Sequence, residues 1–311
     1  MTNLFRHTDF LPLAGLADRK LRSHSRISLV IPALNEAPTI GTIVEQVRSG
    51  LVDSFRLVDE IIVMDGGSSD ATADAARRTG AHVHSAGTVV PDAALAPGKG
   101  SALWESMAAA RGDILVFIDA DIMNFDIRFV YGLIGPLLAE PSILFAKAFY
   151  KRPLMINGIS IEHFGGRVTE ILIRPLLSLF YPSLAGLYQP LSGEYAFRRS
   201  CLEQLGFSTG YGVELELLLN FCGRFGPAAM AQVDMDTRCH RNRTVEELGA
   251  MSFCILQTLL RRLQDEGRIV LSAPLGTRMI SAGDDRGDGP FMREERIPPY
   301  IEFINKRPDN D

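Results

Sequence analysis

From Arg26 onward, short apolar runs alternate with stretches of helical periodicity. ISLVIP (27–32) shows no polar alternation, which predicts a strand buried on both faces. Ile40, Ile43, Val44 and Val47 then recur at the spacing of one helix face. EIIVMD (60–65) predicts a second buried strand, closed by the turn Asp65-Gly66-Gly67-Ser68-Ser69-Asp70 and followed by a helix over 71–78. AHVHSA (81–86) predicts a third strand, 101–110 another helix, and ILVFID (114–119) a fourth strand. Strand and helix alternating at this spacing, with no repeat, imply βαβ units and a mainly parallel sheet. Such sheets bind ligands beyond the carboxyl ends of their strands. Asn35-Glu36, Asp65 and Asp119-Asp121 are therefore the places to look.

The second half is less regular. A helix is predicted over 129–139, and SILFAKAFYKRP (142–153) reads as a strand leaving the core. Residues 167–173 predict a helix that Pro175 would end or kink. Residues 246–264 predict a longer one with Leu248, Met251, Ile255, Leu259 and Leu260 on one face. Beyond Ser272 the chain is rich in Gly, Pro, Asp and Arg, the composition of a mobile loop or tail. With no clean linker, one continuous domain is expected over 26–271, between an N-terminal extension (1–25) and a C-terminal tail (272–311).

Composition narrows the classes. A net charge of −5 over 311 residues gives no global basic character for nucleic acid or an anionic membrane. The four cysteines form no CxxC pair and read as free thiols in a reducing compartment. The N-terminus lacks a long apolar segment with a small-residue cleavage site. The most apolar long stretch, 171–188, is broken by Arg174, Pro175 and Pro182. A cytoplasmic protein without membrane attachment is expected.

Five stretches carry candidate chemistry. Asp119-Ala120-Asp121 puts two carboxylates on one side if the strand continues through them, and hard oxygen donors suit Mg²⁺ or Mn²⁺; the alternative is a solvated strand end. PGKGSALWESM (97–107) places Lys99 between glycines ahead of a helix that Ser101 can cap, a setting for a phosphate or diphosphate, or a plain turn. FGGRVTE (164–170) offers Arg167 and Thr169 after a Gly-Gly turn for a phosphate or carboxylate, or a surface arginine. TRCHRNRTVEELGAM (237–251) crowds Arg238, Arg241 and Arg243 around His240, which is costly unless an anion is near. Glu194 and Glu214 each follow a glycine-bearing turn; as residues alone they read as ordinary helix or turn carboxylates.

In this order the motifs resemble a GT-A nucleotide-sugar glycosyltransferase: VIPALNE (30–36), IVMDGGSSDAT (62–72) and FIDAD (117–121) are similar to its first strand, second-strand end and metal motif. APGKGSALW, KAFYKRPL, GGRVTE, RPLL, QPLSGEYA, GYGVE and HRNRTVEELGAM narrow the likeness to the glucosyl-3-phosphoglycerate synthases, a retaining family that includes a mannosyl-3-phosphoglycerate synthase. The likeness runs from about Ser28 to about Leu260. It implies a Rossmann-like α/β fold with a mainly parallel central sheet. A nucleotide-sugar half (about 26–125) would precede an α-rich acceptor half (about 126–271). It implies hexose transfer from UDP-glucose or GDP-mannose to the 2-hydroxyl of 3-phosphoglycerate, with Mg²⁺ or Mn²⁺ as cofactor and a homodimer as assembly.

The resemblance also distributes roles. Pro32, Ala33, Leu34, Glu36 and Gly66 would line the nucleoside pocket, although many relatives carry serine at Gly66. Lys99 and Arg238 would face the donor, Asp119 and Ala120 the ribose and sugar, and Tyr211 and Glu214 the sugar. Asp121 and His240 would ligate the metal. Gly166, Arg167, Thr169 and Asn242 would hold the acceptor's phosphate and carboxylate, and the Leu191 carbonyl would lie near the reacting centre. Two rivals stand beside this reading. An inverting polyprenol-phosphate sugar transferase would want an amphipathic or spanning tail, which 272–311 does not offer; a non-catalytic nucleotide-sugar-binding protein would bind donor without turnover.

Overall fold

The computed structural model describes residues 3–156, 159–161, 166–239, 243–280 and 289–306. Its strands are β1 (Asn3–Arg6), β2 (Ile27–Ala33), β3 (Glu60–Asp65), β4 (His82–Ser85), β5 (Ile114–Phe117) and β6 (Phe145–Lys151). A separate antiparallel pair, β7 (Leu154–Ile156) and β8 (Ile159–Ile161), precedes β9 (Tyr195–Arg198). Then come β10 (Phe207–Ser208), β11 (Met230–Thr237) and β12 (Arg296–Ile297), of which β10 and β12 pair with each other. The first helices are α1 (Leu13–Ser23), α2 (Ala37–Val47), α3 (Thr72–Arg78), α4 (Lys99–Ala109) and α5 (Arg128–Ala139). They are followed by α6 (Arg174–Phe180), α7 (Arg199–Leu202), α8 (Val213–Phe225), α9 (Val245–Asp265) and α10 (Tyr300–Lys306).

Eight strands build one sheet in the order β1–β11–β6–β9–β5–β2–β3–β4. All neighbours are parallel except β9, which runs antiparallel to both β5 and β6. Alternation along each strand feeds two cores. Ile27, Leu29 and Ile31 join α1, α2, α3 and α5 on one face, whereas Val30, Leu115 and Phe117 meet α4, α6, α8 and α9 on the other. With both faces covered, the strands need unbroken apolar runs, as the sequence has.

The reversal of β9 decides where chemistry gathers. Its first residue lies level with the carboxyl end of β5 and with the first half of β6, because Tyr195 pairs with Phe117 and Lys147. Residues entering β9 therefore join those leaving β5, β6 and β11 in one crevice.

Several expectations change. Residues 1–25, read as an extension, supply β1, which pairs in register with β11 from Asn3 opposite Ala231. The segment 142–153 does not leave the core: β6 lies between β11 and β9 with Phe145, Ala146 and Ala148 buried. Pro175 does not end its helix. Five residues of wider π winding (Thr169–Ile173) lead into α6, which carries Pro175 in its first turn, where a missing N–H costs least. The apolar face of α9 joins the core: Ile255, Leu259 and Leu263 are buried within the chain, against the α8 side. The acceptor half is rich in helices, α5 to α9, but it also contributes β6, β9 and β11 to the same sheet.

The largest revision concerns 272–311, expected as a mobile tail. Of its described residues, 272–280 and 289–306, the second stretch packs on the body: β12 pairs with β10, and Tyr300 and Phe303 meet Trp104 edge-on at 5.1 and 5.2 Å. Trp104 Nε1 donates to the Pro298 carbonyl at 3.0 Å. Gly, Pro and charge dominate the composition, yet four anchors suffice: Glu294, Ile297, Tyr300 and Phe303.

Candidate active site

β5 ends at Phe117, and the chain turns at Ala120-Asp121 instead of continuing as a strand. The two aspartates still converge, because the turn is stitched to the end of β11. Met123 N–H donates to the Cys239 carbonyl (3.0 Å), Cys239 N–H to Asn124 Oδ1 (2.7 Å), and Asn124 Nδ2 to the Thr237 carbonyl (2.9 Å). This brings Arg238 Nη2 to 2.6 Å from Asp121 Oδ1, 3.2 Å from Asp119 Oδ2 and 3.0 Å from Glu194 Oε1. The other Asp119 oxygen is held by Lys99 Nζ at 2.6 Å, and the same ammonium reaches Glu214 Oε1 at 2.7 Å. A chain of charge results, partly open at Lys99, Asp119 and Asp121 and buried at the rest: Glu214, Lys99, Asp119, Arg238, then Asp121 and Glu194.

Electrostatics keep Lys99, Asp119 and Arg238 ionised. Burial would lower the Lys99 ammonium, but Asp119 and Glu214 outweigh it and hold the group well above an ordinary lysine. Burial would raise Asp119; Lys99 and Arg238 overcome it and hold the carboxyl well below the usual carboxylate range. Lys147, one strand over, shows the opposite balance. Burial dominates and brings it down to about 8, while Nζ donates to the Ser192 carbonyl at 2.6 Å. Tyr150, pushed up to about 12 by burial, donates to Glu194 and accepts from Arg152 at 2.7 Å.

Two buried guanidinium donors, Arg152 Nε and Arg238 Nε, have no hydrogen-bond partner among the described residues. A buried N–H left unpaired is costly, so both donors call for an acceptor that the described residues do not supply. Aspartates beside arginines with spare donors can hold a cation and an anion side by side.

Glycines set the spacing. A Cβ on Gly193 would meet both Asp119 oxygens at 2.4 and 2.5 Å. At Gly98 and Gly100 a Cβ would fall 2.3 Å from the Thr209 carbonyl oxygen and 1.7 Å from that of Ser208. The glycines flanking Lys99 thus let α4 start against the 208–209 backbone, with Ser101 N–H donating to the Thr209 carbonyl at 3.0 Å. That revises the expectation of a free phosphate cradle capped by Ser101. The helix already includes Lys99, and the Ser101 hydroxyl turns back to the Ala96 carbonyl at 2.6 Å.

The nucleoside-side residues lie along the ends of β2 and β3. Gly66 N–H donates to the Ala33 carbonyl at 2.9 Å, and Asn35, at φ +58°, exchanges bonds with Ser68 and Ser69. Glu36 N–H bonds Thr72 Oγ1 at 2.8 Å, and Thr39 Oγ1 bonds the Ala120 carbonyl at 2.6 Å. Pro32 is half-buried, Ala33 and Ala120 are buried, and Leu34 and Gly66 are exposed. A side chain at Gly66 would meet Ala33 and Leu34 no closer than 3.5 Å, so the serine of many relatives would fit there.

On the acceptor side, Gly166 takes φ +81°, Thr169 is buried, and Arg167 Nη2 donates to the Arg243 carbonyl at 2.9 Å. Arg243 in turn lies over the half-exposed Tyr211 ring at 5.7 Å. Leu191 is half-buried in the loop whose next carbonyl, that of Ser192, caps Lys147. His240 and Asn242 lie outside the described residues. No group of three His, Cys, Asp or Glu forms a ready metal cluster among those that are described.

The structure brings Lys99, Asp119, Asp121, Glu214 and Arg238 into contact, gives Glu194, which read as an ordinary carboxylate, a central place, and adds three residues that the sequence did not single out. Glu194 is fully buried against Arg238; Gly193, Lys147 and Arg152 complete its surroundings. A usable signal existed in KAFYKRP, whose lysine interrupts an otherwise apolar run, but nothing local connects it to QPLSGEYA across 45 residues.

Residues 28–182 match the family described as glycosyl transferase family 2. Glucosyl-3-phosphoglycerate synthase of Petrotoga mobilis is 42% identical over 276 residues, spanning 89% of this chain and 85% of the relative. The chain belongs to the glucosyl-3-phosphoglycerate synthase family. Within it, mannosyl-3-phosphoglycerate synthase from Rubrobacter xylanophilus superposes with a TM-score of 0.87 at 35% identity, covering 97% of this chain and 96% of that one. Glucosyl-3-phosphoglycerate synthase from Mycobacterium tuberculosis, solved with Mn²⁺, UDP-glucose and phosphoglyceric acid, superposes at 0.84 with 40% identity, over 97% and 99%. The same enzyme has been solved with Mg²⁺ and UDP. The fold is thus the α/β GT-A fold of this family.

Proposed function

We propose that the chain transfers glucose from UDP-glucose to the 2-hydroxyl of 3-phosphoglycerate, with retention at the sugar carbon. The observation that carries this reading is the convergence of Asp119 and Asp121 on Arg238 and Lys99 beside two unpaired guanidinium donors. A site of that kind is what a metal-bound nucleotide diphosphate requires, and a relative 40% identical was solved with one.

The carboxylate pair fits Mg²⁺ or Mn²⁺, which bind through one or two carboxylates plus substrate phosphates. Asp121, with His240, would hold the ion; when bound, it stabilises the negative charge that develops on the departing diphosphate. Lys99 and Arg238, kept protonated by their carboxylate neighbours, supply fixed positive charge in the same crevice. Arg167, with Gly166, Thr169 and Asn242, would anchor the acceptor's phosphate and carboxylate, consistent with a local basic site in an acidic protein. Glu214 and Tyr211 would orient the sugar.

Retention needs a carboxylate nucleophile or same-face attack assisted by the leaving group. Each carboxylate of the cluster is already engaged by Lys99, Arg238 or Tyr150, which favours same-face attack. A covalent glycosyl-enzyme trapped with a slow donor would refute that. Mannose is the second reading, because a mannosyl-transferring relative also superposes over 97% of the chain.

One assay decides: 3-phosphoglycerate and Mg²⁺ with UDP-glucose, GDP-glucose or GDP-mannose in turn, products resolved by sugar. Glucosyl-3-phosphoglycerate from UDP-glucose is expected. Product only from GDP-mannose selects the second reading, and product only with a polyprenyl phosphate acceptor overturns both.

A further inference from the structure

The loop 208–212 joins the two halves of the charge relay. It carries Tyr211 and leads into α8, whose second residue is Glu214, while its first carbonyls abut the glycines around Lys99. Its own backbone is held from the outside by the C-terminal segment. Glu294, 2% exposed, accepts from Ser208 Oγ at 2.5 Å, Gly210 N–H at 2.8 Å and Gly212 N–H at 3.4 Å. The next residue adds a reciprocal pair, with Thr209 N–H donating to the Glu295 carbonyl and Glu295 N–H to Thr209 Oγ1, both at 2.9 Å. Gln257 of α9 fixes the strap in turn, its Oε1 accepting from Glu294 N–H at 2.9 Å.

Close approach makes the arrangement specific. A Cβ on Gly210 would lie 2.5 Å from Glu294 Oε1, and one on Gly212 2.0 Å from Thr258 Oγ1. Gly210 therefore admits a buried carboxylate that replaces solvent as the partner of two loop amides, and Gly212 admits the Thr258 hydroxyl beside it. Carboxylate bonds to backbone N–H groups are stronger than neutral ones and fix direction.

We infer that Glu294 is a positioning residue for the transfer reaction: through loop 208–212 it sets Lys99, Tyr211 and Glu214 relative to Asp119. The inference rests on the transferase reading above. The segment that composition marks as a tail is then a structural wall of the active site.

The test uses the full chain and three variants: Glu294→Gln, Glu294→Ala and, as a control on strap stability alone, Arg296→Ala. The Arg296 side chain pairs with Asp265 and Glu216, and only its backbone, which alanine keeps, pairs with Ser208 of the loop. Glu294→Gln keeps the shape and places an amide donor against backbone donors. It is expected to lower kcat about 10- to 100-fold, the scale of an ångström-level misplacement, with KM for 3-phosphoglycerate unchanged and faster amide exchange over 208–214. Arg296→Ala should lower the melting temperature yet keep kcat. The inference is overturned if Glu294→Gln retains kcat, if it moves KM alone, if amides 208–214 exchange as in the wild type, or if Arg296→Ala costs as much kcat. Should Glu294→Ala fail to fold, Glu294→Gln decides. If the wild type itself transfers no sugar, the functional reading falls, and the exchange rates over 208–214 still decide whether Glu294 holds the loop.

Discussion

Gly193 offers the sharpest test of the charge relay, because a single methyl group is aimed at it. The Cβ of Gly193→Ala would lie 2.4 and 2.5 Å from the Asp119 oxygens, whereas contacts below 3.4 Å are already tight for a real Cβ. Relief needs a shift of about 1 Å in Asp119 or in the loop. Asp119 cannot yield freely, since Lys99 and Arg238 hold its two oxygens at 2.6 and 3.2 Å. A displacement of that size in a catalytic group costs about 100-fold in rate, equivalent to about 2.7 kcal/mol at the barrier. Overpacking should also lower stability by about 1–3 kcal/mol. The assay is UDP release with UDP-glucose, 3-phosphoglycerate and Mn²⁺, alongside thermal melting. Gly186→Ala serves as control, because a Cβ there meets nothing within 4 Å. If Gly193→Ala folds and keeps activity within threefold of the wild type, Asp119 does not need the position the structure gives it.

Other variants probe separate terms. Asp121→Asn should cut kcat by about 100- to 1,000-fold, the scale of losing one preorganised charge, and weaken Mn²⁺ binding followed by electron paramagnetic resonance; unchanged Mn²⁺ affinity would remove Asp121 as a ligand. Lys147 titrates near 8 when folded and near 10.5 as an ordinary lysine, so between those values the unfolded chain binds more protons and stability rises with pH. The stability of the wild type relative to Lys147→Met should therefore climb by up to about 3 kcal/mol from pH 8 to 10.5, read from denaturant melts; a flat difference contradicts the burial of a charged Lys147. Replacing Tyr300 and Phe303 by alanine strips two edge-on contacts from the chain's single tryptophan. Emission should shift to the red, with about 1–3 kcal/mol of stability lost; an unmoved spectrum would place the C-terminal helix elsewhere.

Local sequence determined the alternating frame. Apolar runs such as ISLVIP and EIIVMD become strands covered on both faces, and carboxylates that follow such strands fall into a ligand crevice. That much follows from side-chain periodicity and needs no distant contact. Sequence also exposed Lys99, Asp119, Asp121 and Arg238, each standing out by charge against its neighbours. What it could not show is which charges meet. Arg238 lies 117 positions from Asp121 and 44 from Glu194, and only the pairing of β11 with β6 and the reversal of β9 bring the three together. The same holds for the glycines: as letters Gly98, Gly100, Gly193 and Gly210 mean flexibility, while in the fold each leaves room for a neighbouring carbonyl or carboxylate. The terminal segments were misread for a related reason. β1 has four residues and β12 two, too short for periodicity to register, and their stability comes from partners supplied by β11 and β10. Periodicity is a property of neighbours in the chain, whereas a charge buried without water is stable only where the tertiary structure supplies its counterion.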